Sequence, residues 1–251
     1  MANRKKIFVG QACKFQPSTR KIMVLQIGTQ AYHTGMQLGR NRIEALTDGV
    51  FAVAMTLLVL DIKVPELVQP MAGGGLLHQL LDLWPKFLSY AISFVILGVY
   101  WVGHHAQLSF IRRADRPLLW INILFLLWVA LVPFSTALLS AYPKSQAAVI
   151  IYGTNLIAIG LSLALHWWYV TTDRRHVDPD IHPGLVRGAM YRTLMGPIVY
   201  LIGIALCFFS VELSLVLYGL VPILYILPGR IDIHWGGHHD GKSSPDQSAA
   251  K

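Results

Sequence analysis

Long apolar segments separated by short polar stretches occupy most of the chain from residue 40 onward. Six of them cover residues 43–62, 84–110, 117–140, 146–170, 189–210 and 212–227. A helix rises about 1.5 Å per residue, so most of these segments can cross the roughly 30 Å core of a bilayer. The sixth is the shortest and contains Pro222. The pattern predicts an all-α membrane protein with six transmembrane helices.

The flanking stretches differ from this central part in composition. Residues 1–39 are polar and basic, and no acidic residue precedes Glu44. Residues 229–251 are polar again. We therefore divide the chain into a basic cytosolic arm (1–39), a six-helix membrane domain (40–228) and a polar cytosolic tail (229–251).

Composition excludes a soluble enzyme domain. Hydrophobic residues make up 54% of the chain and charged residues only 14%, whereas about a quarter of the residues in a soluble domain are charged. Nothing in the sequence indicates an enzyme, and we expect neither a cofactor nor a bound metal.

The basic residues predict the orientation of the helices. If the amino terminus is cytosolic and six helices cross, 18 of the 21 Lys and Arg residues fall on the cytosolic side. Only Lys63, Lys86 and Lys144 fall outside. This bias is the positive-inside pattern, so we expect both termini in the cytosol. The net charge of +8 is explained by topology, and no nucleic-acid partner is expected.

The first apolar segment is unusual because it carries acidic residues. Its uncharged run, from Gly49 to Leu60, has only twelve residues, which is short for a span. The helix must therefore bring Asp48 into the membrane. A carboxylate there indicates a functional site, and the alternative is that Asp48 only caps the start of the helix.

Helical spacing divides the side chains of this segment into stripes. One narrow stripe consists of Val53, Thr56, Leu57 and Leu60. A bulkier stripe consists of Phe51, Met55, Leu58 and Ile62, and small residues recur at Ala45, Gly49 and Ala52. Small residues of this kind allow close helix packing in lipid. The narrow stripe fits either ordinary packing or the lining of a pore.

Three polar residues on different helices are predicted at one depth. Counted from the nearest basic boundary residue, Asp48 and Asn122 each lie about 9 Å inside, and His104 lies about 12 Å inside. Polar groups in lipid must satisfy one another. The layer fits a structural clamp and a functional gate equally well.

The residues around Asp48 resemble the first-helix signature of the transmembrane protein 175 family, which comprises endolysosomal potassium channels and shorter bacterial relatives. The family pattern is an arginine followed by Phe-Ser-Asp and an aliphatic helix. Here Arg42 is followed by Leu46-Thr47-Asp48. The stretches Tyr100-Trp101 with His104, and Asn122 with residues 131–134, are similar to the family's second and third helices. The resemblance extends over residues 40–227.

The resemblance implies a potassium-permeable channel in which first helices from several subunits line the pore. Bacterial members have one six-helix unit per chain and form tetramers. By position, the hydrophobic constriction would consist of Val53, Leu57 and Leu60, with Thr56 supplying a hydroxyl layer. The polar network bracing the pore helix would consist of Arg42, Asp48, His104 and Asn122. We therefore expect a homotetramer in a bacterial-type plasma membrane, with K⁺ and other monovalent cations as permeating partners and the lipid bilayer as its surroundings.

Two other functions use the same residues differently. A proton-coupled secondary transporter would use Asp48 as its coupling site, although the inverted repeats of such proteins are not seen. A haem protein could use His104 or His105 with His166 as axial ligands.

Overall fold

The computed structural model describes residues 40–65, 75–112, 114–174, 176–177 and 181–226, so the predicted arm (1–39) and tail (229–251) lie outside the described residues. Regular structure in these ranges is helical, apart from one isolated antiparallel bridge between Ile111 and Val177. The helices are α1 (Arg40–Asp61), α2 (Gly75–Asp82), α3 (Trp84–Ser109), α4 (Arg116–Ala130), α5 (Val132–Ala141), α6 (Gln146–Thr171), α7 (Pro183–Cys207) and α8 (Val211–Ile226).

Five helical stretches in the described part of the chain are long and apolar enough to cross a membrane. They are α1, α3, α4 together with α5, α6 and α7. Helix α8 is apolar but has only 16 residues. The predicted all-helical membrane architecture is confirmed, with five helices of spanning length and a shorter sixth apolar helix.

The third apolar segment is interrupted at Leu131. Helix α4 ends at Ala130, and α5 begins at Val132 with Pro133 in its first turn. Proline has no backbone N–H and its ring clashes with the preceding helical turn. The Leu131 amide therefore bonds to Trp128 O at 3.2 Å, three residues back. The span continues across this break with a local change of pitch.

The structure differs from the sequence-based prediction in two places. Helix α7, which is the fifth predicted span, begins at Pro183 rather than Ala189. The reason is that the imidazole Nδ1 of His182 accepts the Gly184 amide at 3.1 Å and that proline is favoured in a first turn. The loop between the first two spans contains α2, which hydropathy alone does not reveal. Its eight residues are too few to cross a membrane.

Helix α6 is the most buried of the helices of spanning length. In its most apolar stretch, 61% of the residues are buried, against 28% in each of α1, α3 and α7. Close approach at α6 depends on small residues, as is usual in membranes. A Cβ at Gly153 would overlap the ring of Tyr218, and one at Gly160 would overlap that of Pro197.

At one end of the bundle, the segment after α3 pairs with the segment after α6. The Arg112 amide donates to His176 O at 2.7 Å, next to the Ile111–Val177 bridge. A small apolar cluster beneath this pairing includes Leu118 and Trp167. The pairing holds together the ends of α3 and α6 and the beginning of α4.

Asp115 caps α4 within this paired region. Its Oδ1 accepts the Leu118 amide at 3.0 Å, and its Oδ2 accepts the Tyr169 hydroxyl at 2.7 Å and lies 3.4 Å from His176 Nε2. Partial burial on its own would raise the pKa of the Asp115 carboxyl. The two hydrogen bonds and the nearby imidazole outweigh that effect, so the pKa lies below its usual value.

Candidate functional site

One face of α1 is buried against the rest of the chain. It consists of residues spaced three or four apart, each no more than 2% exposed: Ile43, Thr47, Phe51, Ala54 and Leu58. Phe51 also packs on Phe125 of α4, with 5.9 Å between ring centroids. This face of α1 is therefore fixed by the protein's own core. It includes Phe51 and Leu58 of the predicted bulky stripe, whereas Met55 and Ile62 are only partly buried.

The predicted narrow stripe lies on the exposed side of α1. Val53 is 57% exposed, Leu57 43% and Leu60 69%, and Thr56 is exposed as well. The small residues Ala45, Gly49 and Ala52 are also exposed. This exposed face presents aliphatic side chains and close-packing positions that the chain does not cover itself. Its role as a constriction stays a prediction.

The end of α1 changes the alignment of two stripe residues. Residues Leu58–Asp61 form a 3-10 turn rather than a continuation of the α-helix. In a 3-10 turn, side chains three residues apart eclipse one another, whereas in an α-helix they are offset by about 60°. Leu60 therefore stands nearly above Leu57 along the helix axis. The two side chains form successive levels of one line.

A buried chain of hydrogen bonds connects α1 to α3 and α4. Asn122 Nδ2 donates to Thr47 Oγ1 at 3.3 Å, and Asn122 Oδ1 lies 2.8 Å from His104 Nε2. With the amide in this orientation, His104 Nε2 carries the proton and donates it. All three residues are 1% exposed. The structure thus brings two of the predicted network residues into direct contact and joins them to α1 through Thr47.

Asp48 is held by a different partner. The Trp101 indole N–H of α3 donates to Asp48 Oδ1 at 2.8 Å, on the exposed side of the bundle. A further polar pair lies nearby, with 3.5 Å between Glu44 Oε1 and His105 Nδ1. Arg42 is exposed in the first turn of α1, and no contact in the described chain joins it to Asp48, His104 or Asn122. Its place in the network remains a prediction.

The buried polar layer extends further than the sequence suggests. The His104 ring lies 5.3 Å from the ring of His166 on α6, measured between centroids. His166 Nδ1 is 3.0 Å from Gln107 Oε1, and Gln107 Nε2 donates to Thr193 Oγ1 of α7 at 3.4 Å. We call the residues Thr47, Asn122, His104, His166, Gln107 and Thr193 the inner polar layer. It joins α1, α3, α4, α6 and α7.

A second buried cluster lies towards the other end of the bundle and does not involve α1. The Thr136 hydroxyl donates to Ser93 Oγ at 3.0 Å, and Ser93 Oγ lies 2.9 Å from the Tyr152 hydroxyl. Asn155 Nδ2 donates to Ser135 Oγ at 3.1 Å. We call these five residues the outer hydroxyl cluster, and they lie beside the interruption at Leu131.

Similarity to known proteins agrees with this geometry. The family described as endosomal/lysosomal potassium channel TMEM175 matches residues 42–133, which contain all eight predicted site residues. A potassium channel from Streptomyces collinus is 38% identical over 188 residues, covering 73% of this chain and 90% of that protein. The chain belongs to the TMEM175 family.

Other TMEM175 relatives extend the comparison. A potassium channel from Chamaesiphon minutus is 38% identical over 191 residues, covering 74% of this chain and 93% of that one. The endosomal/lysosomal proton channel TMEM175 of Homo sapiens is 30% identical over 166 residues, covering 63% of this chain and 32% of the human protein. The crystal structure of a lysosomal potassium-selective TMEM175 homolog from Chamaesiphon minutus has a TM-score of 0.64 at 37% identity, covering 74% of this chain and 95% of that one.

Sequence reasoning missed several residues that this TMEM175 chain uses. Thr47 and Trp101 lie inside the motifs quoted above. The hydroxyl of Thr47 and the indole N–H of Trp101 could have marked them as hydrogen-bonding residues. Gln107 lies near the end of α3, where polar residues are common, and Thr193 lies near the middle of α7. Only the packing of the helices shows that Gln107 contacts both His166 and Thr193.

Proposed function

We propose that this chain is a potassium-permeable cation channel that works as a homotetramer. The first helices of four copies would line the pore, with both termini cytosolic, in a bacterial-type cell membrane. The basic arm (1–39) and the polar tail (229–251) would flank a membrane domain of six helices (40–228). Membership of the TMEM175 family and the relatives named potassium channels support this proposal.

The division of α1 into two faces carries the proposal. Its buried face anchors the helix to its own chain through Thr47, Phe51 and Leu58. Another face exposes Val53, Leu57 and Leu60. These side chains are uncovered even though the same helix carries the carboxylate of Asp48. One such helix cannot enclose a path for ions. Closed rotational symmetry would place the exposed faces of several copies around one axis.

The chemistry of this face suggests how such a pore would discriminate between ions. Rings of Leu57 and Leu60 offer an ion no ligand, so a passing ion must give up part of its hydration there. Because K⁺ holds its water less tightly than Na⁺, K⁺ would pass more readily. The Thr56 hydroxyl donates to the carbonyls of its own helix, at 2.9 Å from both Ala52 O and Val53 O, which leaves the lone pairs of its oxygen free to face a passing ion.

The inner polar layer would hold α1 at a fixed angle and depth. Asn122 has both ends of its amide engaged, one with α1 and the other with α3. Loss of either bond leaves a buried polar group unsatisfied, so one arrangement of the three helices is strongly preferred. A small rotation of α1 would turn Leu57 away from a pore axis, and the layer opposes that rotation.

The haem alternative conflicts with the packing of the histidines. Phe125 stacks on His104 at 5.0 Å, and the His166 ring lies 5.3 Å away from His104. A porphyrin between the imidazoles would have to separate rings that are already in contact. The transporter alternative rests on Asp48 alone. The hydrogen bond between Asp48 and Trp101 is explained equally well if Asp48 only positions α1.

Recordings from purified protein in planar bilayers would test the function directly. Under opposed K⁺ and Na⁺ gradients, we expect a reversal potential that is shifted towards the K⁺ equilibrium potential. Mass measurement of the solubilised protein should give four copies. A monodisperse monomer that conducts would contradict the assembly, and protein that incorporates as a tetramer but passes no current would contradict the channel assignment.

A further inference from the structure

A large cavity lies between α3 on one side and α7 and α8 on the other. No residue of α1 lines it, although Trp101, which binds Asp48, does. Its volume is about 750 Å³, within the range of small-molecule sites. Leu163 and Trp167 of α6 form its floor. Small residues on α3, Gly98 among them, leave it open. A Cβ at Gly98 would meet nothing within 4 Å.

The cavity is long and mostly apolar. Residues of α3 and the Phe110 that follows it contribute to the wall from Phe94 to Phe110, a length of about 24 Å at the helical rise per residue. One leaflet of the bilayer core is about 15 Å deep, half of the roughly 30 Å total. The cavity can therefore hold an extended hydrocarbon chain that crosses one leaflet.

Polar groups gather at one end of this cavity. Arg192, Thr193 and Gln107 line it there, on the side where α3 and α6 end and α7 begins. The Arg192 guanidinium donates to Tyr225 O at 3.0 Å and lies 5.9 Å from the centre of the Tyr225 ring. These contacts hold the cation at the cavity wall.

Arg192 lies in the first half of α7, nine residues or about 13 Å after its start at Pro183. Under the proposed topology this is the cytosolic end of the span. A cation that lines a cavity between membrane-spanning helices indicates a functional site. A guanidinium has five N–H donors in a planar fork, a geometry that suits the oxygens of a phosphate.

We propose that this cavity binds an anionic phospholipid, with its phosphate at Arg192 and one acyl chain in the apolar part between α3 and α7. Charge complementarity selects the headgroup, and the length of the cavity selects the chain. Under the proposed topology, Arg192 lies near the cytosolic surface, where basic pockets between transmembrane helices recognise anionic headgroups. The lipid site does not depend on whether the chain conducts ions.

Native mass spectrometry of the solubilised full-length protein tests the site, with phosphatidylglycerol and phosphatidylcholine of identical acyl chains as probes. We expect the parent to retain phosphatidylglycerol at least fivefold more than phosphatidylcholine. Arg192→Gln should remove that preference, and Arg192→Lys should keep part of it. Arg187→Gln is the matched control, because Arg187 is exposed on the same helix outside the cavity, and it should retain the full preference.

A second pair of variants tests the acyl chain. Gly98→Leu places a side chain in the cavity without a clash at Cβ, so it should lower retention of both lipids severalfold. Ala91→Leu, on an exposed part of α3 outside the cavity, should leave retention unchanged. Equal retention of the two lipids by the parent, or unchanged retention in both Arg192→Gln and Gly98→Leu, would overturn the proposal. A change of oligomeric state in Gly98→Leu with lipid retention unaltered would overturn it too, because the cavity would then be a contact between copies.

Discussion

The two faces of α1 differ in what holds them. The buried face contacts α3 and α4 through apolar packing and a hydrogen-bonded chain from Thr47 through Asn122 to His104. The opposite face carries Val53, Leu57 and Leu60, of which Leu60 is 69% exposed. Aliphatic residues exposed in this way would simply face lipid if α1 had no role beyond packing against its own chain.

The difference shows that hydrophobicity does not separate these faces. Leucines occupy both faces. What differs is the bonding of the polar side chains, because those on the buried face and those on the exposed side have different partners. Thr47 is buried and bonded within the core, whereas the neighbouring Asp48 is exposed and bonded to Trp101. A one-residue step along the helix thus leads from a buried residue to an exposed one, and both are bonded to the rest of the chain. The first three predictions below each change one face or its anchor and leave the other intact.

The largest effect is expected from placing an amide on the buried face. Leu58→Asn removes apolar packing and buries an unsatisfied polar group, which should lower the free energy of unfolding by about 3–5 kcal/mol. Leu60→Asn, two residues away and exposed, should change it by less than about 1 kcal/mol. Thermal denaturation of the solubilised protein measures both variants. Equal losses would mean that the two faces are not distinct.

A somewhat smaller effect is expected from breaking the anchor. Asn122→Leu strands both Thr47 and His104, at about 1–3 kcal/mol for each unsatisfied group. Because α1 is then less firmly oriented, ion selectivity in bilayer recordings should fall as well. Ser93→Ala in the outer hydroxyl cluster is the control, since it should reduce stability while leaving selectivity as in the parent. Loss of selectivity in both variants would show that the inner polar layer has no special role.

A modest effect is expected at Trp101. Trp101→Phe keeps an aromatic ring but removes the N–H that binds Asp48, a loss of about 1 kcal/mol at this exposed position. Trp120→Phe, on an exposed part of α4, should be neutral. The melting temperatures of the two variants give the comparison. If the Trp101→Phe protein is as stable as the Trp120→Phe protein, the Trp101–Asp48 bond does not help to hold α1 in place.

The smallest effect concerns Asp115, which lies outside the spans. Because its pKa is lowered in the folded protein, the carboxylate stabilises the fold above its unfolded pKa of about 3.9 and loses that contribution as pH falls through the folded value. Asp115→Asn keeps a helix cap but has no charge. The stability advantage of the parent over this variant, measured by thermal denaturation, should be small at pH 7 and shrink as the pH drops below about 4. An advantage that grows on acidification would contradict the assignment.

Much of the fold follows from hydropathy, because each long apolar segment must be helical to satisfy its backbone in lipid. That His104 and Asn122 lie at one level of the bundle was also predictable, since the rise per residue along each helix fixes that level. Whether these residues touch was not, because contact depends on helix rotation. The alignment of Leu60 over Leu57 depends on a 3-10 turn, and α2 has only eight residues, so neither has a clear signal in hydrophobic periodicity.

Silver-ion block of cysteine variants tests most directly whether the exposed face of α1 lines the pore. In a background with Cys13 and Cys207 replaced by alanine, Leu57→Cys or Leu60→Cys would place an accessible thiol on that face, and Leu58→Cys a buried one. Silver reacts with thiols that water can reach. We predict irreversible loss of K⁺ current in the Leu57→Cys and Leu60→Cys proteins, and intact current in the Leu58→Cys protein. Unblocked current at both Leu57→Cys and Leu60→Cys, or block at all three positions alike, would contradict a pore lined by this face.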